Sequence, residues 1–236
     1  MSKYFRVDLD LAAGAVVPLD AHRFLTVLRL GKGDTIVLCD PRGALFEARL
    51  VSVDPLLAEI VGPAASPPRN PSAPLEVWLP LLKGGKTDDL VRHLTELGAT
   101  RIVPFSSRNS VARLDGKKAA DRRDRFANIA REACNQCGRT DLPEVVTPVD
   151  DLPRTGPGAF LWEGGGASAL PTLAARPELA ARVLSGPEGG LSLVEAEALV
   201  TLGWVPLSLG QRILRADTAA LVLASLAQAV RGNFES

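Results

Sequence analysis

The 236-residue sequence is poor in the residues that usually announce covalent or metal chemistry. It has three cysteines and two histidines. Cys39, Cys134 and Cys137 cannot all pair within one chain, so free thiols in a reducing, cytoplasmic compartment are expected. A zinc site needs about four ligands. Beside Cys134-x-x-Cys137 only Cys39, His22 and His93 remain, all distant and without ligand spacing, so no metal is expected. Neither histidine stands with a Gly-x-Ser-x-Gly nucleophile pattern, which leaves hydrolase chemistry without support. No apolar run reaches the roughly 18–20 residues of a membrane span. Met1-Ser2-Lys3-Tyr4-Phe5-Arg6 leads into no apolar stretch, so a secretory signal is not expected. Net charge is also missing: 27 basic residues balance 27 acidic ones, with no overall surplus of the kind many nucleic-acid binders carry.

What is present is an ordinary globular composition, 46% hydrophobic and 23% charged. The neutral total hides a local basic belt. Residues 101–139 hold ten Arg and Lys against Asp115, Asp121, Asp124 and Glu132, which suits either a solvated helix face or contact with one RNA site. Gly62–Pro74 contains five prolines in thirteen residues and can sustain neither a helix nor a sheet ladder. The chain therefore reads as an N-terminal domain over 1–68, a linker over 69–74 and a C-terminal domain over 75–236.

The first domain reads as short strands at Val16-Val17, Thr35–Cys39, Ala44–Val53 and Ala58–Val61, with a turn at Asp40-Pro41-Arg42-Gly43 and one helix over His22–Leu30. That mixture suggests a small barrel. In the second domain strands at Leu75–Leu82, Arg101–Phe105, Ala159–Trp162, Ala181–Ser185 and Trp204–Leu209 alternate with helices at Thr87–Leu97, Gly116–Cys134, Ser192–Leu202 and Ala216–Val230. Such alternation predicts an α/β fold whose parallel sheet is covered on both faces.

Pro80–Thr87 mimics a phosphate-binding P-loop, but Pro80 stands where the first glycine belongs, which removes an N–H donor and the needed freedom. Lys83 and Lys86 leave a basic turn that could meet RNA phosphate. Gly186-Pro187-Glu188-Gly189-Gly190 lies between a strand and a helix opened by Ser192 and Glu195, a capping-box pair. Its glycines allow close approach of a ligand. Leu207–Ala219 follows the next strand and carries Arg212 and Arg215 before an apolar helix, a setting suited to an anion. Ligands of open α/β sheets bind at the carboxyl ends of strands, so these two loops are expected to form one pocket.

Together the two loops resemble the cofactor motifs of the knotted SPOUT methyltransferases. The whole chain resembles their 16S rRNA (uracil-N3)-methyltransferase family, often called RsmE. The resemblance rests on His22–Arg29, Lys83-Gly84-Gly85-Lys86, Thr95–Ala99, Glu132-Ala133-Cys134-Asn135-Gln136-Cys137-Gly138-Arg139, Leu142-Pro143-Glu144, Gly186–Leu191 and Leu214–Ala219. It implies a PUA-like RNA-binding barrel, a C-terminal domain with a deep trefoil knot, S-adenosylmethionine as cofactor, and a homodimer that completes the site. The implied substrate is uridine 1498 of 16S rRNA in the small ribosomal subunit. Under that resemblance Leu161, Leu184, Ile213, Gly186–Gly190, Leu207, Leu209, Gly210, Leu214, Thr218 and Ala219 would hold the cofactor. Arg215 would stabilise or orient the target base, and Asn135 and Arg139 would hold the nucleotide. Gln136, Lys83, Lys86 and Arg29 would contact RNA. The general base stays open between Glu132 and Asp217, and Asp217 suits a helix N-cap equally well. A 2′-O-methyltransferase and a non-catalytic ribosome-assembly factor are the rival readings.

Overall fold

The computed structural model describes residues 4–20, 29–65, 69–110 and 116–234, the side chains of 116 and 117 apart. The expected helix over His22–Leu30 lies almost wholly outside them. The chain divides into two compact units: residues 1–70 with 134–141, and residues 71–133 with 142–236.

The first unit is a five-stranded sheet made by β1 (Tyr4–Arg6), β2 (Val16–Pro18), β3 (Thr35–Cys39), β4 (Leu45–Val53) and β5 (Leu56–Pro63), in the order β1-β3-β4-β5-β2. All pairs are antiparallel except β1 with β3. Ile36, Leu38, Ala48, Leu50 and Ile60 alternate into one core. The β3–β4 turn is built on the buried Asp40, whose carboxylate accepts N–H bonds from Arg42 and Ala44 at 2.9 and 2.8 Å. Gly43 closes it at φ 87°, a left-handed conformation that costs glycine little.

Cys134–Asp141 belongs to this unit through polar contacts that no local pattern reveals. The Arg6 N–H donates to Asn135 Oδ1 at 2.9 Å, and the Arg6 guanidinium donates to the Thr140 carbonyl at 2.6 Å. The Asn70 side-chain oxygen accepts the N–H groups of Thr140 and Asp141.

The second unit carries a seven-stranded, wholly parallel sheet. Its strands are β6 (Glu76–Pro80), β7 (Arg101–Phe105), β8 (Glu144–Val145), β9 (Gly158–Leu161), β10 (Ala167–Ser168), β11 (Arg182–Leu184) and β12 (Trp204–Ser208), in the order β10-β12-β9-β11-β6-β7-β8. The helices are α1 (Lys86–Glu96), α2 (Gly116–Cys137), whose last turn from Cys134 counts with the first unit, α3 (Ala169–Ala175), α4 (Leu193–Thr201) and α5 (Ala216–Ala229). The α/β expectation with a parallel sheet holds. Alternation sorts the side chains by face. Val77, Ala159, Val183 and Leu207 join Leu90, Leu94, Leu223 and Ala227 in one core. Trp78, Phe160, Leu184 and Trp204 join Ala196 and Leu199 in a second. Thus α1 and α5 cover one face and α4 the other.

Three sequence expectations change. Helix α2 does not stop at Cys134 but runs through Cys137, so the Cys-x-x-Cys pair sits in a helical turn rather than in a loop. A break comes only at Gly138, at φ 87°. The N-cap of α5 is Arg215, not Asp217, which stands one turn-position inside the helix. The short β8, β10 and α3 were not foreseen, because two to seven residues carry too little periodicity to register.

Candidate functional site

The glycine turn was expected to share a pocket with the loop of a neighbouring strand. In the sheet, β9 separates β11 from β12, and three adjacent strands deliver three loops to one cleft. The cleft has a volume of about 550 Å³, within the ordinary range for a small-ligand site. Leu161–Gly165 enters after β9, Ser185–Leu191 after β11 and Leu207–Ala216 after β12, and Lys86 of α1 and Ala219 of α5 complete it. All three loops leave the carboxyl ends of their strands, where ligands of open parallel sheets bind.

Leu161, Leu207 and Leu209 give the cleft apolar walls, while Gly186, Gly190 and Gly210 expose backbone. Lys86, Arg212 and Arg215 are its cations and Glu163 and Glu188 its carboxylates. The Arg215 side chain is exposed, makes no helix-capping bond and has no protein partner among the described residues. Its backbone carbonyl accepts the Ala219 N–H at 2.8 Å, which starts α5. Lys86 lies 3.3 Å from Asp217. Burial alone would raise the Asp217 carboxyl. The Thr218 N–H and Lys86 outweigh it and hold the carboxyl below its ordinary value of 3.8. Asp217 is therefore a poor proton acceptor at neutral pH.

The cleft gathers Leu161, Gly186, Pro187, Glu188, Gly190, Leu207, Leu209, Gly210, Ile213, Leu214, Arg215, Ala219 and Lys86 of the expected site residues. Ile213 is 91% exposed, so its apolar side chain is a rim rather than a wall. Leu184 does not line the cleft; it is fully buried in the core beneath α4, because β11 alternates and its last residue faces that side. Gly189 and Thr218 also lie outside the lining, as do Glu132, Asn135, Gln136, Arg139, Lys83 and Arg29. Glu132, Gln136, Lys83 and Arg29 are exposed, and Arg29 adopts φ 52°. Asn135 is engaged with the Arg6 backbone. Arg139 is buried and forms a two-pronged pair with Asp141, at 3.1 and 2.6 Å.

Sequence reasoning missed the first loop, with Trp162, Glu163 and Gly165, and named no cofactor role for Ser185 and Leu191, which flank the glycine turn. A signal existed for the first group: Gly164-Gly165-Gly166 directly follows a strand and Glu163. A Cβ on Gly164 would fall 2.5 Å from the Trp162 ring, so glycine lets the loop fold back over the indole.

Cys134 offers no competing chemistry. Burial, opposed by Arg139, pushes its thiol up to about 12, far from the thiolate needed for nucleophilic or metal-binding work. No cluster of potential metal ligands occurs among the described residues, and no described helix is long and apolar enough to cross a membrane.

A parallel α/β sheet with a glycine-lined cleft at its carboxyl edge defines a small-ligand-binding class, and residues 68–228 match the family model of the RNA methyltransferase domain. Ribosomal RNA small subunit methyltransferase E of Bacillus subtilis is 31% identical over 221 residues, covering 86% of this chain and 84% of that protein. Its Mycobacterium tuberculosis namesake is 28% identical over 232 residues, covering 92% and 88%. The crystal structure of the Neisseria gonorrhoeae enzyme of the same name, bound to S-adenosyl methionine, superposes with a TM-score of 0.84 at 27% identity, covering 99% and 98%. The chain belongs to the ribosomal RNA small subunit methyltransferase E family.

Proposed function

We propose that this chain transfers a methyl group from S-adenosylmethionine to ring N3 of uridine 1498 in 16S rRNA of the small ribosomal subunit. The three-loop cleft carries the reading. Its apolar walls suit an adenosine, its glycine turns bring backbone donors and acceptors to the ligand, and Arg212 suits a carboxylate. The cofactor, when bound, supplies a methyl already activated by a positive sulfur, so no metal is called for.

The chain's own task is to bring the uracil nitrogen into line and to manage its proton. Alignment alone supplies a large share of such an acceleration. The ring nitrogen is largely protonated at neutral pH, and a positioned base typically contributes about 10²–10⁴-fold. Asp217 is already paired with Lys86, so the role of base is assigned to Glu132. Glu132 lines no part of the cleft of its own chain, which agrees with a homodimer completing the site. Arg215, exposed at the cleft and without a side-chain partner among the described residues, is assigned to the negative charge that develops on the uracil carbonyls. Arg139 is reassigned from direct substrate contact to holding Cys134–Asp141 in place, since its guanidinium is buried against Asp141, while Asn135 holds the segment through its side-chain oxygen. Exposed Gln136, Lys83 and Arg29, with Lys86, are left for RNA.

Family membership further supports a PUA-like RNA-binding role for the first unit, a trefoil knot where the segment after Leu207 passes the Gly186 turn, and a cytoplasmic site of action. The test is transfer of tritiated methyl from S-adenosylmethionine to small subunits, with naked rRNA as comparison and nucleoside mass spectrometry of the product. N3-methyluridine in the particle is the expected product. A ribose methyl, or no transfer to either RNA, refutes the reading.

A further inference from the structure

The loop after β7, Ser106–Ser110, lines no part of the cofactor cleft, yet it holds the C-terminal end of the glycine turn and the start of α4. The Asn109 side-chain amide donates to the Gly189 carbonyl at 3.1 Å and leans to that of Gly190 at 3.4 Å. The approach is close: a Cβ on Gly189 would stand 3.0 Å from Asn109 Cβ and 3.1 Å from the Asn109 carbonyl oxygen. This requirement explains why Gly189, which lines no part of the cleft, is a glycine. Just beyond the turn, the Arg108 N–H donates to Glu195 Oε1 at 2.8 Å. Glu195 Oε2 accepts the N–H and the hydroxyl of Ser192, both at 2.8 Å, so one carboxylate joins this loop to the start of α4.

The loop is itself stiff. The Ser106 N–H donates to the Val149 carbonyl at 2.8 Å, and the Ser107 N–H to Ser110 Oγ at 2.8 Å. Within the turn the Gly190 N–H closes on the Pro187 carbonyl at 2.9 Å. A planar trans peptide ties the Gly190 carbonyl and the Leu191 N–H to opposite directions. Drawing that carbonyl to Asn109 therefore sets the direction of the Leu191 N–H, a donor with no acceptor among the described residues, on a residue that lines the cleft.

We propose that Asn109 is a positioning residue for the cofactor turn, acting through the carbonyls of Gly189 and Gly190 to preorganise Gly186–Leu191 before the ligand arrives. The proposal rests on the cofactor reading given above for its functional consequence, but not for its structural one. Asn109→Ala and Asn109→Asp both remove the donor, and Asn109→Asp does so with almost no change of shape. Losing one or two hydrogen bonds corresponds to about a five- to twentyfold change in an equilibrium. Hydrogen exchange of the ligand-free proteins should show the peptide spanning 185–192 exchanging about that much faster in both variants. S-adenosylmethionine should bind about five- to twentyfold more weakly and KM for it should rise in step, with kcat on small subunits at saturating cofactor within about twofold. A residue that merely filled space would spare Asn109→Asp. Unchanged exchange over 185–192 in both variants overturns the proposal, as does wild-type cofactor affinity in both. Faster exchange in a protein whose wild type binds no S-adenosylmethionine supports the positioning role and refutes the cofactor reading instead.

Discussion

Arg215→Ala separates binding from chemistry at the cleft. The Arg215 side chain is exposed and makes no capping bond, so the substitution removes no partner from the fold, and the backbone carbonyl that starts α5 is retained. The melting temperature should move by no more than about 2 °C, as for a surface change of ±0.5 kcal/mol. The catalytic cost is larger. A cation about 4 Å from a developing unit charge is worth roughly 1 kcal/mol in water and about 4 kcal/mol at an effective dielectric of 20. An exposed guanidinium at the mouth of a cleft belongs in the lower half of that range, so kcat should fall about 10- to 50-fold. The assay is single-turnover methyl transfer to small subunits at saturating S-adenosylmethionine, with cofactor affinity measured separately by calorimetry. Arg215→Lys should recover part of the loss, because charge remains while the planar fork does not. Transfer by Arg215→Ala within twofold of wild type would refute the assignment.

Leu184→Ala should cost about 2–5 kcal/mol in denaturant unfolding, as for a fully buried leucine, while cofactor KM stays nearly constant; the opposite pattern would make Leu184 a cofactor wall after all. Cys134 should resist alkylation in the native protein near pH 8 and react once unfolded, as mass spectrometry of the labelled peptide will show. The folded carboxyl of Asp217 lies below its ordinary value of 3.8, so its stabilisation is present above that value and lost as pH falls through the lower folded value. Asp217→Asn should therefore destabilise at neutral pH and match the wild type in strong acid; a difference that persists in acid, seen in parallel unfolding curves, would assign the effect to packing.

The long elements were legible because their signals are local. Strand β7 falls where its β-branched run ends in Pro104-Phe105, and α4 begins at the Ser192–Glu195 box, with both reciprocal bonds present. The glycine turn and the Leu207–Ala219 loop were legible as a pair, since each follows a strand. The third loop of the cleft was not, because nothing local in Trp162–Gly165 says that β9 lies between β11 and β12. The side taken by Leu184 was not legible for a related reason: apolar residues flank both faces of a buried parallel strand, and only the register decides which side each one takes.

By itself the sequence determined the α/β class, through its alternating strand and helix periodicities, and it carried the motifs by which the chain resembles its family. Only the tertiary structure decided that Cys134–Asp141 belongs with the first unit, that the Asn135 side-chain oxygen and the Arg139 guanidinium are engaged inside it, and that Asn109 reaches the glycine turn from eighty residues away. The Arg139–Asp141 pair is local, but the others depend on hydrogen bonds between distant segments, and a polar group's need for a partner does not reveal in sequence which partner the fold will bring.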